Sequence, residues 1–359
     1  MKITLKNTPE QVELVKAMAS RNRDVAYEAQ TALAEFIGPV LAEVVNNAPV
    51  ISNLFTTLQY NADDNPSIPL DLYFDVADQD YVQVYSQSRA GGLPTSEVLP
   101  TSSELKIATY TLDSAVSFDR RYAAKSRMDV VAKTMTRVAQ EILLKQNSIS
   151  ANVLMTALDG ASTNNLTHVV KSNSTTGFTW IDLNAMCTRS KRILTSFAGG
   201  TPDSGVAKGL TDILVSPETV ANLRAIAYQP LVSSVPNADV IAEEAYSAAG
   251  APSFYGVNVI ELSEFGKGQK FQALFTGSSY DGTNTIDQAA DDLVVGLDRT
   301  RESLIRPVAV DSENGAEFNL IADDQYSIRQ SKIGYFGSLE EGRIVGDDRA
   351  LIGCVVDVA

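Results

Sequence analysis

The sequence predicts a mixed α+β protein with inserted segments. Three observations predict this class. Long stretches carry apolar residues at three- and four-residue steps, shorter stretches alternate apolar with polar residues, and loops rich in Gly, Pro and Ser separate them. With 359 residues, 44% of them hydrophobic and 20% charged, the chain is long enough for about two domains with cores of their own.

The first predicted element is a helix over residues 8–46. Thr8 and Pro9 suit its start, because a threonine side chain can accept from the first free amides and proline fits the first helical position. Apolar residues then recur at helical spacing and form one stripe. We expect breaks at residues 21–23, where Arg-Asn-Arg interrupts the stripe, and at the Gly-Pro pair 38–39.

A long polar hairpin is predicted within residues 53–112. Apolar and polar residues alternate at 68–74 and at 105–111, which is typical of strands with one apolar face. Residues 60–88 include six acidic residues and no basic one. A hairpin this polar buries too little area to hold its shape alone, so we expect it to lie on another surface, which a second copy of the chain could provide.

Residues 117–159 predict one very long helix, opened by Asp119 and ended by Gly160. About 40 helical residues would extend roughly 60 Å, whereas helices average about 11–12 residues. The segment 119–145 holds seven Lys/Arg and three acidic residues in a chain of net charge −15. This basic strip has two interpretations: a solvated face with intrahelical ion pairs, which is the commoner arrangement, or a surface that meets nucleic-acid phosphates without reading sequence.

The second half of the sequence predicts further helices and strands. A helix begins at Trp180, and a buried strand at 212–215 leads into a helix that Ser216 caps and Pro217 opens. A long strand, a turn and a closing strand are predicted from Phe318 onwards. Four strand-like runs precede them, at 254–262, 270–277, 292–297 and 302–310.

Composition excludes several classes of protein. One histidine, His168, and two cysteines, Cys187 and Cys354, exclude two-histidine zinc centres, cysteine-rich metal sites and a disulfide framework. We expect buried, apolar settings for both cysteines and a surface or structural role for His168. The acidic pI of about 4.6 excludes a protein that binds nucleic acid through a uniformly basic surface. No apolar run suits a membrane span or a secretion signal, so we expect synthesis in a reducing cytosol and no membrane partner.

No catalytic, cofactor-binding or metal-binding residue is predicted. Catalysis by an activated Ser or Cys usually needs a histidine base, and the glycines at 200 and 205 lack the Lys-Ser/Thr of a phosphate loop. In the faintly calcium-like segment 311–322, Ala322 stands where a bidentate Glu is needed. Four acidic pairs are predicted to be solvated at the ends of elements: Asp291-Asp292, Asp323-Asp324, Glu340-Glu341 and Asp347-Asp348.

The order of these elements resembles the major capsid proteins of tailed bacteriophages, whose fold is named after phage Hong Kong 97. An arm with a helix, a polar hairpin and a very long helix are followed by a strand–helix segment, LVSPETVANLRA, and by GYFGSLEEGRIVGDDRALIGCVV near the end. The resemblance covers nearly the whole chain. It implies a Hong Kong 97-like α+β capsid fold with an N-terminal arm, an extended β-hairpin loop, a peripheral domain with a long spine helix, and an axial domain.

The same resemblance divides the chain into parts. It implies an arm and helix at 1–52, an extended loop at 53–112 that crosses a neighbouring subunit, a peripheral domain at 113–179 and 287–350, and an axial domain at 180–286 and 351–359. Because the sequence starts directly at its arm, a separate scaffolding protein is implied.

The resemblance also implies a structural role and no enzyme activity. Pentamers and hexamers of the chain would build the icosahedral shell of a virion around double-stranded DNA, after synthesis in the host bacterial cytoplasm. The implied partners are other copies of the chain, a scaffolding protein, a portal, a decoration protein and packaged DNA, which Arg127, Lys133 and Arg137 would contact without sequence preference. No cofactor is implied. Two alternatives stay open: an encapsulin-like shell with an enzyme as cargo, and a cytosolic enzyme with an unrecognised carboxylate site.

Overall fold

The computed structural model describes residues 8–46, 50–61, 64–69, 104–162, 168–174, 177–193, 209–228, 253–254, 256–275, 285–310, 317–323 and 330–357. These residues contain six α-helices and fourteen strands, so the predicted α+β class is confirmed. The chain divides into two compact units. Unit 1 comprises Met1–Ser67, Lys106–Ser150 and Ile305–Arg343, and unit 2 comprises Ile68–Leu105, Ala151–Leu304 and Ile344–Ala359.

Unit 1 starts with the helices α1 (Pro9–Met18) and α2 (Arg23–Asn46). The predicted cap is present, since the Thr8 side chain accepts from the Gln11 amide at 3.4 Å. The predicted break at residues 21–23 is confirmed, because α1 and α2 are separate helices.

A kink or an end of the helix was predicted at the Gly-Pro pair 38–39, and the helix does not end there, because α2 continues through Pro39. Proline in a helix interior removes one hydrogen bond and crowds the preceding turn. Ile37 and Leu41, on either side of this proline, are each 1% exposed and belong to the unit 1 core. Tertiary packing of the apolar stripe therefore holds the helix together across a local breaker.

The predicted helix at 117–159 is wrong at both ends. Residues up to Asp119 belong to strand β4 (Thr109–Asp119), and the Asp119 side chain then caps a short helix, α3 (Arg120–Ala124). Ser126, with φ 51°, separates α3 from α4 (Met128–Ser162), which has 35 residues and passes Gly160. A long helix is present, but it begins at Met128, about three turns after the predicted start at residue 117.

A mixed sheet supports unit 1. Its central strand, β12 (Lys332–Gly342), pairs antiparallel with β4 along its whole length. The other edge of β12 pairs antiparallel with β11 (Asn319–Asp323) and β10 (Leu304–Val310). Strand β1 (Thr56–Asn61) runs parallel beside β10. The sequence predicts two strands after Phe318, whereas the structure has four: β11, β12, β13 (Ile344–Val345) and β14 (Leu351–Asp357).

Helices α1, α2 and the first part of α4 bury their apolar stripes in one core with this sheet. Met135 of α4 is fully buried there. Tyr335 of β12, 1% exposed, stacks on Phe118 of β4 with ring centroids 6.4 Å apart. Burial of such large side chains supplies most of the stabilising free energy of a core.

Unit 2 is built on a second six-stranded sheet. Its strands, in spatial order, are β5 (Val169–Lys171), β14 (Leu351–Asp357), β9 (Asp291–Leu297), β6 (Asp212–Val215), β8 (Val257–Glu261) and β7 (Ser253–Phe254). The remaining elements of the described residues are α5 (Trp180–Ile193), α6 (Pro217–Tyr228), β13 (Ile344–Val345), and the paired strands β2 (Ser67–Pro69) and β3 (Glu104–Lys106).

The strand–helix segment of unit 2 is confirmed as predicted. Strand β6 leads into α6, and the Ser216 hydroxyl accepts from the Thr219 amide at 3.1 Å. The predicted strand at 270–277 is wrong, since residues Gln272–Leu274 form a 3-10 turn. The buried Gln272 side chain donates to the Asp291 carbonyl at 2.7 Å and accepts from the Leu293 amide at 3.2 Å, so a side chain takes the place of a strand at this point.

The predicted hairpin lies mostly outside the described residues. Its bases, β2 and β3, pair as a two-stranded sheet, and residues 70–103 are not described. None of the helices in the described part of the chain is long and apolar enough to cross a membrane. The division into arm, loop, peripheral and axial domains stays a prediction.

Candidate functional site

An ionic cluster lies inside unit 1, around Glu341 near the end of β12. The Glu341 carboxylate is fully buried and accepts from Arg306 Nε at 2.9 Å and from Arg343 Nη1 at 2.5 Å. Gln146, on α4, donates to the same carboxylate at 2.9 Å. Two guanidinium groups therefore share one carboxylate in a site without solvent contact, where opposite charges interact strongly and an unpaired charge is costly.

The same cluster connects five segments of unit 1: the end of β12, β10, α4, β4 and the segment between α2 and β1. Tyr110 of β4 donates to Glu341 at 2.9 Å, and Arg343 also donates to the Tyr110 hydroxyl. The Ser52 hydroxyl, on the segment between α2 and β1, accepts from Arg343 Nη2 at 2.7 Å. Burial raises the pKa of Tyr110, so this phenol stays protonated and acts as a donor.

Three of the four acidic pairs have buried members and are not solvated as predicted, and Asp324 of the fourth pair lies outside the described residues. Asp291, Asp292, Glu341 and Asp347 are each at most 8% exposed. The local sequence shows only part of the compensation: Arg343 and Arg349 are two residues from Glu341 and Asp347, whereas the other partners come from distant parts of the chain. One signal was available: Glu341 follows the inward-facing parity of β12, where a charged residue requires a buried partner.

In unit 2, Asp292 binds the start of α6. It accepts from the Thr219 hydroxyl at 2.7 Å and from the Ser216 hydroxyl, which itself caps the helix. Burial raises the pKa of Asp292, while these two hydrogen bonds lower it. The role of this carboxylate is to fix α6 to the sheet.

Asp291 and Asp357 lie directly opposite each other on β9 and β14. Burial and the neighbouring Asp357 carboxyl raise the pKa of Asp291, whereas the hydrogen bond from the Asp287 amide, at 2.7 Å, lowers it. Lys171 is the cation that faces this pair. The raised pKa favours the protonated form of Asp291, so its contact with Asp357 weakens as pH rises.

Asp347, just before β14, binds two arginines. It accepts from Arg301 and, at 2.9 Å, from Arg349 Nε. The side chain of Asp298 caps the next turn by accepting from the Thr300 amide at 3.1 Å. Together with Asp292 and Glu341, these carboxylates serve structural contacts, and no group of His, Cys, Asp and Glu among the described residues is arranged to hold a metal ion.

His168 has the structural role that was predicted, though inside the protein. It is 4% exposed, and its Nδ1 lies 3.0 Å from the Leu351 carbonyl oxygen. Cys354 is buried and Cys187 partly buried, and burial raises the pKa of both thiols, so they remain neutral. The prediction of buried cysteines is confirmed for Cys354 and holds in part for Cys187.

The predicted basic strip of α4 carries mixed charge in three dimensions. Its exposed charged residues follow four-residue steps and therefore share one face. They are Asp129, Lys133, Arg137, Glu141 and Lys145, three bases and two acids in one row. This arrangement favours the solvated-face interpretation and leaves only a small excess of positive charge for phosphates.

Apolar side chains are exposed on the open face of the unit 1 sheet, the face opposite to the helices. Ile321 of β11 and Phe336 of β12 are Cα partners and are 47% and 37% exposed. Ala115 of β4 is the next Cα partner of Phe336 and is also exposed. The three residues form one row across three strands, which we call the open-face row.

A second exposed apolar surface lies on α2. Phe36 and Val40, one helical turn apart, are 54% and 37% exposed. They point away from the buried stripe that contains Ile37 and Leu41. Contiguous exposed apolar residues mark surfaces that proteins use for association.

No family model matches the chain, and no curated protein matches it. Solved structures similar to it include the bacteriophage PhiM1 mature capsid, with TM-score 0.49, 12% identity and coverage of 85% of this chain and 86% of that one. The Cyanophage Pam1 capsid has TM-score 0.47 and 11% identity, with coverage of 85% and 89%.

A third similar structure is the holo-SrpI encapsulin complex from Synechococcus elongatus, with TM-score 0.42, 13% identity and coverage of 72% and 78%. The similar structures named here are capsids and an encapsulin, the class of shell-forming protein that the order of predicted elements resembles.

Proposed function

We propose that the chain is the major capsid protein of a tailed bacteriophage. Copies associate as pentamers and hexamers into the icosahedral shell of a virion, which encloses double-stranded DNA. The role is structural, not catalytic. The observation that carries the proposal is the open-face row of Ala115, Phe336 and Ile321, because apolar side chains aligned on a sheet face gain free energy when a neighbour covers them.

A shell subunit must contact several neighbours at once. The open-face row and the Phe36–Val40 surface lie on different elements, a sheet and a helix, and so can meet different partners. A specific interface usually buries about 1,600 Å², and simultaneous contacts in a closed assembly reinforce one another. The net charge of −15 supports solubility of subunits before assembly.

A scaffolding protein, a portal and a decoration protein are the further partners that belong to this proposal. The predicted hairpin would supply contacts between subunits, and its tip lies outside the described residues. Contact with packaged DNA through Arg127, Lys133 and Arg137 is non-specific on this proposal, since the α4 row offers phosphates only sparse positive charge.

A second candidate is an encapsulin-like shell with an enzyme as cargo. The mixed charge of the α4 row supports this candidate, because Asp129 and Glu141 interrupt the row of basic residues that would face DNA in a capsid. Both candidates share the shell and differ in what the shell contains.

Electron microscopy of the purified full-length chain in negative stain tests the shell. We expect closed hollow particles of uniform size. Monomers or small rings at every protein and salt concentration would refute both candidates.

The contents of the particles separate the candidates. After nuclease treatment, purified particles from infected or lysogenic cells should retain double-stranded DNA if the chain is a capsid protein. A co-purified enzyme in particles without protected DNA would instead assign the chain to the encapsulin class.

A further inference from the structure

A basic cleft opens in unit 1 where α1, α2, α3 and β12 meet. Its volume is about 180 Å³, well above the ~15 Å³ that one enclosed water needs. Four cationic side chains line it: Arg21 and Arg23 at the start of α2, Arg120 at the start of α3, and Lys332 at the start of β12. The sequence separates these residues by up to 311 positions, so only the fold brings them together.

None of the carboxylates in the described part of the chain lines the cleft. Asp119, the Cα partner of Lys332, is the nearest acidic group on β4, and its carboxylate binds Arg121 at 2.8 Å on the exposed side. Hydrogen bonds from Arg121, and the charge of Lys332, hold the pKa of Asp119 below its usual range, so this ionised acid offsets part of the Lys332 charge. The four cations around the cavity still outnumber this acid, in a chain with 15 more acidic than basic residues.

Main-chain carbonyls hold the Arg120 guanidinium in place. Its Nε and Nη2 donate to the Ala19 carbonyl at 3.3 and 3.1 Å, and the Arg120 amide donates to the Ser331 carbonyl at 3.1 Å. These acceptors are neutral, so they orient the side chain without cancelling its charge. A cation fixed before binding costs less conformational entropy when an anion arrives.

The walls and floor of the cleft suit a small anion. Met18, Ala26 and Ile333 are at most 9% exposed and close the floor, which reduces solvent screening. Gln30, 4% exposed, adds a polar group to the wall. The first turn of the 24-residue helix α2 also faces the cleft through Arg23 and Ala26, and a helix start carries partial positive charge.

We propose that this cleft binds a phosphoryl group, either of free phosphate or of a nucleic-acid backbone. Arginine guanidinium groups present pairs of N–H donors that match phosphate oxygens, and lysine adds a point charge. Three arginines and one lysine suit a phosphate, with several acceptor oxygens, better than a single carboxylate. The inference rests on unit 1 alone and is independent of shell assembly.

The double variant Arg21→Gln with Lys332→Gln tests the site, because it removes two of the four cations and leaves the anchored Arg120 in place. A matched control, Lys16→Gln with Lys125→Gln, makes the same change of net charge at two exposed positions of unit 1 that do not line the cleft. Isothermal titration of each full-length chain with inorganic phosphate, at constant ionic strength, measures affinity. We expect the cleft variant to bind at least about tenfold more weakly than the wild type and the control to bind unchanged.

Two further measurements complete the test. Phosphate should raise the melting temperature of the wild type and the control but not of the cleft variant. A cooperative melting transition of the cleft variant without phosphate also verifies that the variant folds. Fluorescence anisotropy with a labelled oligonucleotide identifies the source: tighter binding than to inorganic phosphate assigns the cleft to nucleic acid, and equal or weaker binding assigns it to free phosphate.

The proposal is overturned if the wild type binds neither probe, or if both double variants weaken binding equally. Equal affinity for acetate or poly-glutamate would also overturn it, because the site would then recognise negative charge without preference for phosphate.

Discussion

Glu341 illustrates how much a single buried charge can decide. Its carboxylate is the common acceptor for Arg306 and Arg343, and all three side chains are at most 3% exposed. The cluster holds two positive charges and one negative charge. Removal of the carboxylate would leave two guanidinium groups buried without a counter-charge.

We therefore expect Glu341→Gln to lower the free energy of unfolding of unit 1 by about 3–5 kcal/mol. The isosteric amide keeps the volume and loses only the charge. The matched control is Glu340→Gln, at a half-buried neighbour that accepts from the Tyr60 hydroxyl at 3.2 Å, with an expected loss of about 1 kcal/mol or less. Urea unfolding followed by circular dichroism measures both, and equal losses would contradict the importance of the cluster.

The Asp291–Asp357 pair predicts the pH dependence of unit 2. The pKa of Asp291 is raised in the folded state, so its stabilising contribution is complete below the ordinary carboxyl pKa and is lost as pH rises through the folded-state pKa. Asp291→Asn mimics the protonated carboxyl. We expect the variant to melt at a higher temperature than the wild type at neutral pH and to lose this advantage near pH 4.

Thermal melts between pH 4 and pH 8 test this expectation. Asp113→Asn, at an exposed position on β4 of unit 1, serves as the control and should leave the pH profile of unit 2 unchanged. Parallel profiles for the wild type and Asp291→Asn would show that the pair does not titrate in this range.

At the scale of single elements, α2 shows a conflict between local preference and packing. Pro39 is exposed inside the helix, while Ile37 and Leu41 are buried in the core. A proline in a helix interior costs about 3 kcal/mol relative to alanine. The core contacts of α2 offset this cost.

Replacement of Pro39 by Ala should therefore stabilise unit 1, by about 1–3 kcal/mol, because it restores a backbone donor without touching the core. Pro217 provides the matched control, since proline at the first turn of α6 lacks only an amide that has no helical partner. Pro217→Ala should change stability by less than about 0.5 kcal/mol. Chemical unfolding measures the free energy of unfolding of both variants. A lower value for Pro39→Ala than for the wild type would mean that the proline fixes a bend that unit 1 needs.

The sequence predicts elements well where periodicity and capping agree. The β6–Ser216–α6 segment has a buried strand, a cap and an N-terminal proline in order, and the structure follows it. The long helix fails at its start because two tertiary effects are invisible locally: β4 extends to Asp119 to pair with β12, and Ser126 adopts a left-handed conformation. The prediction that the acidic pairs are solvated fails for a related reason. The residues that bind Glu341 include Gln146 and Tyr110, which are 195 and 231 residues away in the sequence.

At the scale of the whole molecule, the chain combines buried ionic contacts inside each unit with uncovered apolar surfaces outside. The Glu341 cluster and the Asp347 site fix chain segments within units 1 and 2, respectively. The open-face row and the Phe36–Val40 surface have no equivalent cover among the described residues. Rigid units with exposed apolar rows are what an assembling wall requires, whereas an isolated soluble protein gains nothing from such rows.

Ile321→Asp tests whether the open-face row belongs to the wall. Ile321 is 47% exposed, so an aspartate there can reach water in the free chain, and the fold should persist. In an assembled shell the same carboxylate would be buried against a neighbour without a partner, which costs several kcal/mol at every copy of the contact. We therefore expect a folded, soluble chain that forms no closed particles in negative stain.

The matched control is Ser117→Asp, which adds the same charge to the same sheet face, two residues from Ala115, at a polar position. It should assemble like the wild type, because the apolar row remains intact. If both variants assemble, the open face is not an interface; if neither does, added charge rather than lost apolar contact controls assembly. Only a loss confined to Ile321→Asp identifies the row as a contact between subunits, since repetition of one buried contact around a closed shell turns a modest local penalty into complete failure to assemble.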